Sequence, residues 1–267
     1  MTAVEMSVLR RLDRRVGMPT EAERQEMSSR VTIIVKTFER PRALARFVAS
    51  ARQAFDGRIL VADDSRRPVT DHGEGVEVLA LPFNVGLSVG RNAALDRVDS
   101  QYVFVSDDDI VVTAATDLVA MMNYLDDNPE VDIIAPQLIN LPAMVVHAPR
   151  ADALFPTAAP PLRPFGELIG GVPVAFKVPN VFLARTQSLR AVRWDERLRL
   201  LEHRDFFSRA SGRLVTVQAD AVRAYHLRDA FDPFYNAHRM DLARDFRMLA
   251  VIWGGEHRPE GPLGTDG

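Results

Sequence analysis

The 267-residue sequence contains no cysteine. Disulfide bonds, thiolate nucleophiles and cysteine-ligated zinc or iron–sulfur sites are therefore excluded. Lysine is almost as scarce, since Lys36 and Lys177 are the only lysines among 33 basic residues and the other 31 are arginines. Arginine makes forked contacts with phosphate and carboxylate groups, but a GC-rich coding sequence would give the same bias. The composition leaves both explanations open.

The chain also lacks an excess of positive charge and a long apolar run. Its formal net charge is −3 and its pI is near 6.1, which excludes a nucleic-acid binder that relies on a basic surface. No apolar stretch approaches the ~18–20 residues of a membrane span, and the amino terminus has no apolar core of signal-peptide length. We therefore expect a cytoplasmic protein with no integral membrane segment and no nucleic-acid partner. The sequence leaves the oligomeric state open.

The sequence is organised as one domain with an extension at each end. Residues 1–30 are predicted to form an N-terminal amphipathic helix and a polar connector. The helix either docks on the domain or contacts a second copy, and its period does not distinguish the two. Residues 31–253 are predicted to form a single domain, and residues 254–267 a flexible tail.

Strands and helices alternate through the first half of this domain. Short β-branched runs such as VTIIVK and RILVA are typical of buried parallel strands, and helical patterns separate them. The alternation predicts an α/β fold with a mostly parallel sheet flanked by helices. Ligands of such sheets bind beyond the carboxyl ends of the strands. Three strand ends carry polar sets that we expect to meet in one crevice: Lys36-Thr37, Asp63-Asp64-Ser65 and Ser106-Asp107-Asp108-Asp109.

The run Asp107-Asp108-Asp109 indicates a cation site. Adjacent carboxylates repel one another, so a fold that keeps them at the end of a parallel strand is expected to supply a cation. Hard oxygen ligands of this kind suit Mg²⁺ or Mn²⁺ bridging to a diphosphate. An exposed acidic turn is the alternative. A haloacid-dehalogenase-type phosphatase site is disfavoured, because its aspartates usually follow the first strand and these follow the fourth.

Two further segments favour a nucleotide ligand. Asp63 or Asp64 could accept the N3–H of a uracil. In the segment NVGLSVGRN, Gly86 and Gly90 would let the backbone approach a phosphate, and Arg91 could meet that phosphate with its guanidinium. A surface arginine on a helix is the alternative for Arg91.

Four segments, taken in order, resemble one known group of enzymes. VTIIVKTFERP, LVADDS, LPFNVGLSVGRNAAL and YVFVSDDDIVV are similar to stretches of nucleotide-sugar glycosyltransferases of the GT-A fold, in the family 2-like group. They look closest to β-1,4-N-acetylgalactosaminyltransferases. The match covers about residues 31–112 and continues more thinly through NVFLART and EHRDFF to His226. The resemblance implies a GT-A (Rossmann-like) domain, with a nucleotide-binding half at 31–135 and a smaller, mixed acceptor half at 136–253.

The resemblance also implies roles for individual residues. Asp109 would ligate Mn²⁺ or Mg²⁺, and His226 falls where a histidine closes the metal site in many of these enzymes. A structural histidine is the alternative for His226. The nucleotide and donor site would consist of Thr37, Glu39, Asp63, Asp64, Arg91, Asp107 and Asp108, with Arg91 facing the phosphates or the sugar and Asp107 facing hydroxyl groups.

The catalytic base is expected in the second half. An inverting transferase needs one carboxylate that takes the proton of the acceptor hydroxyl. Many family 2 enzymes place an E-D pair at a helix start, and here His203 stands in the second position of that pair. The galactosaminyltransferase-like pattern H-x-[ED]-F-F aligns Asp205 with its acid. Asp205 is therefore the first choice and Glu202 the second, with a surface Asp205–arginine pair as the structural alternative.

The reaction implied is transfer of a hexose or N-acetylhexosamine from a UDP-sugar to a glycan or other hydroxyl-bearing acceptor, with inversion. A nucleotidyltransferase is the rival enzyme class. It should carry a glycine-rich, basic loop after the first strand, and KTFERP has no glycine. A catalytically inactive sugar-nucleotide-binding module is the third possibility, which the intact aspartates disfavour.

Overall fold

The computed structural model describes residues 18–70, 73–227 and 242–254. The helix predicted near the amino terminus, and the predicted tail beyond Gly254, lie outside these ranges. The helices of the described residues are α1 (Glu21–Arg30), α2 (Pro41–Ala51), α3 (Leu87–Leu95), α4 (Leu118–Asp127), α5 (Thr186–Val192), α6 (Glu202–Ala210) and α7 (Ala243–Trp253). Within these ranges, none of the helices has the length and apolar character to cross a membrane.

The strands of the same residues are β1 (Val31–Thr37), β2 (Ile59–Asp63), β3 (Val76–Ala80), β4 (Tyr102–Asp107), β5 (Ile110–Val111), β6 (Ile133–Leu141), β7 (Val145–Val146), β8 (Leu168–Ile169), β9 (Val172–Pro173), β10 (Phe182–Arg185) and β11 (Thr216–Leu227).

One mixed sheet forms the centre of the fold. Its strands lie in the order β3-β2-β1-β4-β10-β6-β11-β5, and β7 pairs with β6. Strands β3, β2, β1 and β4 are mutually parallel, as are β6 and β11, whereas β10 runs antiparallel to both of its neighbours. The predicted α/β fold with a mostly parallel sheet is therefore confirmed. The antiparallel β10 separates the regular first half from the mixed second half.

Both faces of the sheet are covered by apolar side chains. Ile33 and Val35 of β1 belong to the same core cluster as Phe47 of α2, while Ile34 belongs to a second cluster with Leu95 of α3. Successive side chains of a strand point to opposite faces, so β1 is buried along all seven of its residues. This two-sided burial explains why β1 is a continuous apolar run and not an alternating one.

Helix α1 forms where the sequence predicted a polar connector. Thr20 caps the helix by accepting from the backbone N–H of Glu23 at 3.3 Å, and the Glu23 carboxylate accepts from the backbone N–H of Thr20 at 2.7 Å. This reciprocal capping box stabilises the first turn. Met27 is the one buried side chain of this helix. The segment was predicted to be a connector because it has no apolar stripe, and such a stripe is not needed for the helix to form.

The strand register places the polar strand ends at one edge of the sheet. Thr37 at the end of β1 lies beside Asp63 of β2, and Lys36 lies beside Asp107 of β4. The end of β11 brings His226 against β5, the short strand that directly follows the three aspartates. The polar sets expected to share a crevice are therefore neighbours in the structure.

Candidate active site

A buried ion pair joins the ends of β1 and β2. The Lys36 ammonium contacts Asp64 Oδ1 and donates to the backbone carbonyl of Thr37 at 2.6 Å. The second Asp64 oxygen accepts from the backbone N–H of Gly86 at 3.0 Å. Burial lowers the pKa of Lys36, against the opposing effect of the Asp64 charge. Asp64, one of the two aspartates predicted to contact a uracil, is thus bound by Lys36 and by the backbone at the start of α3.

The glycines of the segment 84–92 make room for protein side chains. A Cβ at Gly90 would lie 2.5 Å from Lys36 Cε, and a Cβ at Gly86 would lie 2.9 Å from Arg199 Cα. Gly86 also has a φ of 100°, which residues with a side chain rarely adopt. Lys36 and Arg199 therefore fill the space where side chains would lie at these positions, which gives both glycines a structural reason; the approach of a phosphate to their backbone stays a prediction.

Glu39 and Asp63 organise the loops that follow β1 and β2. Asp63 accepts from the backbone N–H groups of Ser65 at 2.9 Å and Val69 at 3.0 Å. Glu39 accepts from the backbone N–H of Arg66 at 2.7 Å, and its own N–H donates to Ser65 Oγ at 2.6 Å. These contacts fix the two loops against each other at the edge of the crevice. A direct role of either carboxylate toward a nucleotide stays a prediction.

Arg40 pairs with two of the three aspartates that follow β4. Its Nη1 lies 2.9 Å from Asp108 Oδ1 and 3.1 Å from Asp109 Oδ2, and all three side chains are buried. Thr37 Oγ1 donates to the other Asp108 oxygen at 2.7 Å. Arg40 was not among the site residues predicted from the sequence. It could have been proposed as a partner of the aspartates, because a buried acidic run needs a cation and Arg40 ends the loop after β1.

The pKa values of Asp108 and Asp109 are shifted in opposite directions. Burial raises the pKa of Asp108 to about 7, although the charge of Arg40 opposes this shift. Burial would also raise the pKa of Asp109, but the hydrogen bond and charge of His226, together with Arg40, outweigh it and hold that pKa below its usual range. Asp109 is therefore the carboxylate that stays ionised and available to a cation.

His226 presents one ring nitrogen to Asp109. Its Nδ1 lies 2.7 Å from Asn140 Oδ1, and the Asn140 amide nitrogen donates to the backbone carbonyl of Val145 at 3.4 Å. The amide oxygen therefore faces the ring, so Nδ1 carries the proton and donates. The Nε2 atom lies 3.3 Å from Asp109 Oδ2. A hydrogen bond that fixes the far nitrogen of a histidine is typical of metal-ligating histidines.

The pair of Asp109 and His226 fits a divalent ion. Two ligands at right angles on an ion with bonds of about 2.1 Å lie about 3.0 Å apart, close to the observed 3.3 Å. Among residues 18–70, 73–227 and 242–254, no group of three or more histidine and carboxylate side chains is arranged to hold an ion alone. The donor set therefore suits an ion that takes its other ligands from a diphosphate and water, as Mg²⁺ commonly does.

Arg91 connects the two halves of the domain. It contacts Glu202 of α6 and donates to Asp107 Oδ1 at 2.6 Å. Burial alone would lower the pKa of Arg91, but the charges of Asp107 and Glu202 outweigh it and raise that pKa. Burial raises the pKa of Glu202, and its Oε2 atom has no hydrogen-bond partner in the described structure. The alternative of a surface arginine is thereby excluded, since Arg91 is 1% exposed.

Asp205 lies one turn after Glu202 and faces different partners. Its two oxygens accept from Arg209 Nε at 2.8 Å and from Trp253 Nε1 at 2.9 Å, and the residue is fully buried. The bond from Trp253 ties α6 to α7, whereas Arg209 lies on α6 itself. Of the two carboxylates predicted as the base, Glu202 contacts Arg91 on the donor side. Asp205 is bound instead by Arg209 and Trp253. The catalytic assignment of Asp205 stays a prediction.

Asp245 of α7 holds the segment that leads into α6. Its Oδ2 accepts from the backbone N–H groups of Arg199 at 2.8 Å, Leu200 at 2.7 Å and Leu201 at 3.0 Å. Helix α6 has no capping side chain of its own at Leu201, and Glu202 is its first residue. A remote carboxylate therefore fixes the start of the helix that carries Glu202. Asp245 was not among the residues predicted from the sequence, because its partners lie more than 40 positions away.

The fold is shared with a solved glycosyltransferase structure. TarS of S. aureus, residues 1–349 in complex with UDP-GlcNAc, superposes with a TM-score of 0.61 at 17% sequence identity, covering 86% of this chain and 68% of that chain. The likeness shows a GT-A architecture, a central sheet flanked by helices.

The sequence comparisons define the family. The family model described as Glycosyl transferase family 2 matches residues 32–192. The chain is 33% identical over 209 residues to beta-1,4 N-acetylgalactosaminyltransferase 1 of Homo sapiens, covering 74% of this chain and 39% of that protein. It is 30% identical over 203 residues to beta-1,4 N-acetylgalactosaminyltransferase 2 of Mus musculus, covering 73% and 39%. The chain belongs to glycosyl transferase family 2, and it spans about two fifths of the length of these relatives.

Proposed function

We propose that this chain is a metal-dependent, inverting glycosyltransferase. It moves a hexose or N-acetylhexosamine from a UDP-sugar to a hydroxyl group of a glycan or another acceptor. The observation that carries the proposal is the buried link Glu202–Arg91–Asp107, which joins a carboxylate of the second half to the aspartates of the nucleotide-binding half. Family membership and the UDP-GlcNAc complex of TarS support the choice of donor class.

The donor nucleotide is placed at the strand ends. Thr37 and Asp64 lie at the edge where ligands of such sheets bind, and Asp64 retains acceptor capacity beyond its bonds to Lys36 and Gly86, because a carboxylate has about four lone-pair sites. We assign the uracil to this edge and the diphosphate to the side of Arg91 and Asp107. The Arg91 guanidinium then faces the charge that develops as the diphosphate leaves.

Asp109 and His226 would hold Mn²⁺ or Mg²⁺ beside the donor diphosphate. When bound, such an ion neutralises negative charge on the leaving group. The protein's own contribution is to keep Asp109 ionised and to fix the imidazole of His226 through Asn140, so that Nε2 faces Asp109.

Glu202 is the group we assign to the acceptor proton. In a single displacement, the acceptor oxygen forms a bond to the anomeric carbon, the bond from that carbon to UDP breaks, and UDP leaves with the electron pair. The acceptor proton passes to Glu202 Oε2. A raised pKa favours this role, since a base with a pKa nearer to the working pH accepts a proton more readily. Asp205 is the second choice, because Arg209 and Trp253 already bind both of its oxygens.

The test compares two isosteric variants, Glu202→Gln and Asp205→Asn. UDP release from UDP-GlcNAc, UDP-GalNAc, UDP-glucose and UDP-galactose is measured with a panel of sugar acceptors and Mn²⁺. We expect Glu202→Gln to lower kcat by at least about 100-fold, the contribution typical of a general base, while the thermal shift caused by UDP and Mn²⁺ persists. Asp205→Asn is the matched control on the next turn of the same helix and should keep most of its kcat.

Three results would contradict this assignment. If Asp205→Asn abolished turnover while Glu202→Gln did not, Asp205 would be the base. Release of pyrophosphate from UTP would show a nucleotidyltransferase. If neither UDP nor any UDP-sugar raised the unfolding midpoint in the presence of Mn²⁺, the site would not be a donor site at all.

A further inference from the structure

Two nitrogen-bearing side chains converge on one oxygen atom of the proposed metal site. Asp109 Oδ2 lies 3.3 Å from His226 Nε2 and 3.1 Å from Arg40 Nη1. A divalent ion bound between Asp109 and His226 would share this oxygen with the Arg40 guanidinium. Like charges at such a distance repel strongly in a buried site, where the effective dielectric is low. The ion and Arg40 therefore cannot both bind Asp109 Oδ2 without a large energetic cost.

Arg40 has a second anchor that lets it compete. The same Nη1 atom contacts Asp108 Oδ1 at 2.9 Å, and the side chain is 4% exposed. Asp108 has an independent donor in Thr37, whose hydroxyl bonds its other oxygen at 2.7 Å. Asp108 therefore keeps one partner whether or not the guanidinium stays in place, and Asp108 remains a partner for Arg40 if the guanidinium leaves Asp109.

We propose that Arg40 is an internal competitor of the divalent ion for Asp109, and that it makes ion binding depend on the anionic donor. This inference rests on the proposed function, since it concerns the same metal site. Without donor, Arg40 occupies Asp109 Oδ2 and offsets one of the two charges of Asp108 and Asp109, so the ion must displace it and binds weakly. A nucleoside diphosphate brings negative charge that offsets the additional cation, so ion and donor bind cooperatively. Arg40 is a positioning residue here and takes no part in bond making.

The experiment measures Mn²⁺ affinity directly, by calorimetry and by the electron paramagnetic resonance signal of free Mn²⁺, with and without UDP. Arg40→Gln removes the charge, and Arg42→Gln is the matched control, because Arg42 is exposed two residues further on. We expect Arg40→Gln to bind Mn²⁺ at least tenfold more tightly than the wild type in the absence of UDP. Because Arg40 no longer opposes the ion once UDP is bound, the gain in Mn²⁺ affinity on adding UDP should shrink by the same factor in Arg40→Gln. By reciprocity, the gain in UDP affinity on adding Mn²⁺ should shrink equally. Arg42→Gln should match the wild type in both.

A second pair of variants covers the case in which Arg40→Gln does not fold. Asp108→Asn removes one negative charge, and the double variant Arg40→Gln/Asp108→Asn removes one charge of each sign. The double variant should bind Mn²⁺ at least tenfold more tightly than Asp108→Asn alone. Equal or weaker Mn²⁺ binding on removal of Arg40 in either background would overturn the proposal, as would the absence of Mn²⁺ binding in every variant. Because these titrations are also made without UDP, a failure of UDP to bind would count against the proposed function and not against the competition.

Discussion

The carboxylate of Asp245 offers a quantitative test of how the start of α6 is held. Asp245→Ala would leave three backbone N–H groups, those of Arg199, Leu200 and Leu201, without their acceptor. Each unsatisfied buried donor costs about 1–3 kcal/mol. Taking about 1 kcal/mol for each, because these donors are only partly buried, the free energy of unfolding should fall by about 3 kcal/mol. Asp245→Asn keeps an acceptor oxygen and loses its charge, so we expect a loss of about 1 kcal/mol.

Urea unfolding measures both values. With a slope of about 3 kcal/mol per molar urea, a loss of 3 kcal/mol lowers the midpoint by about 1 M. Arg244→Ala is the control, since Arg244 is exposed beside Asp245 on α7 and should change the unfolding free energy by less than about 0.5 kcal/mol. If Asp245→Ala unfolded within about 0.2 M of the wild type at an unchanged slope, the three hydrogen bonds would contribute nothing measurable and the reasoning would be refuted.

Two further substitutions test the strand-end cluster. Gly90→Ala places a Cβ 2.5 Å from Lys36 Cε, so we expect a loss of about 1–3 kcal/mol in urea unfolding from overpacking; a neutral result would mean that the lysine can move aside freely. Asn140→Ala removes the acceptor that orients the imidazole of His226. It should weaken Mn²⁺ binding by about 10–100-fold in calorimetry, and an unchanged affinity would show that the imidazole needs no such support.

The elements that the sequence predicted well are those whose signal is local. VTIIVK, RILVA and YVFV are β-branched or aromatic runs between polar turns, and each became a buried strand within one or two residues of its predicted bounds. The rule that parallel strands end at a common edge was then enough to predict that Thr37, Asp64 and Asp108 lie close together. In contrast, α1 was predicted as a connector because its signal lies in the capping pair Thr20 and Glu23 and not in an apolar period.

The partners within the site could not be predicted, because they are distant in the chain. Arg91 and Glu202 are separated by 111 positions, and Arg40 and Asp109 by 69. No periodicity or spacing links such pairs, and only the assembled sheet shows which cation meets which carboxylate. The same limit applies to Asp205. Its sequence position is compatible with a catalytic base, and only the structure shows that Trp253 binds one of its oxygens.

The charges of the assembled site give an independent reason to expect a divalent ion there. Counted with every carboxyl ionised and with His226 left out, the groups comprise three cations and five carboxylates, namely Lys36, Arg40 and Arg91 against Asp64, Asp107, Asp108, Asp109 and Glu202. This leaves a surplus of two negative charges in a largely buried cluster, which is costly. Burial is the main cause that raises the pKa of Asp108 and of Glu202, and the charge of Asp107 raises both further. A divalent ion would remove the surplus without protons, and the donor diphosphate would then add negative charge that Arg40 and Arg91 are placed to meet.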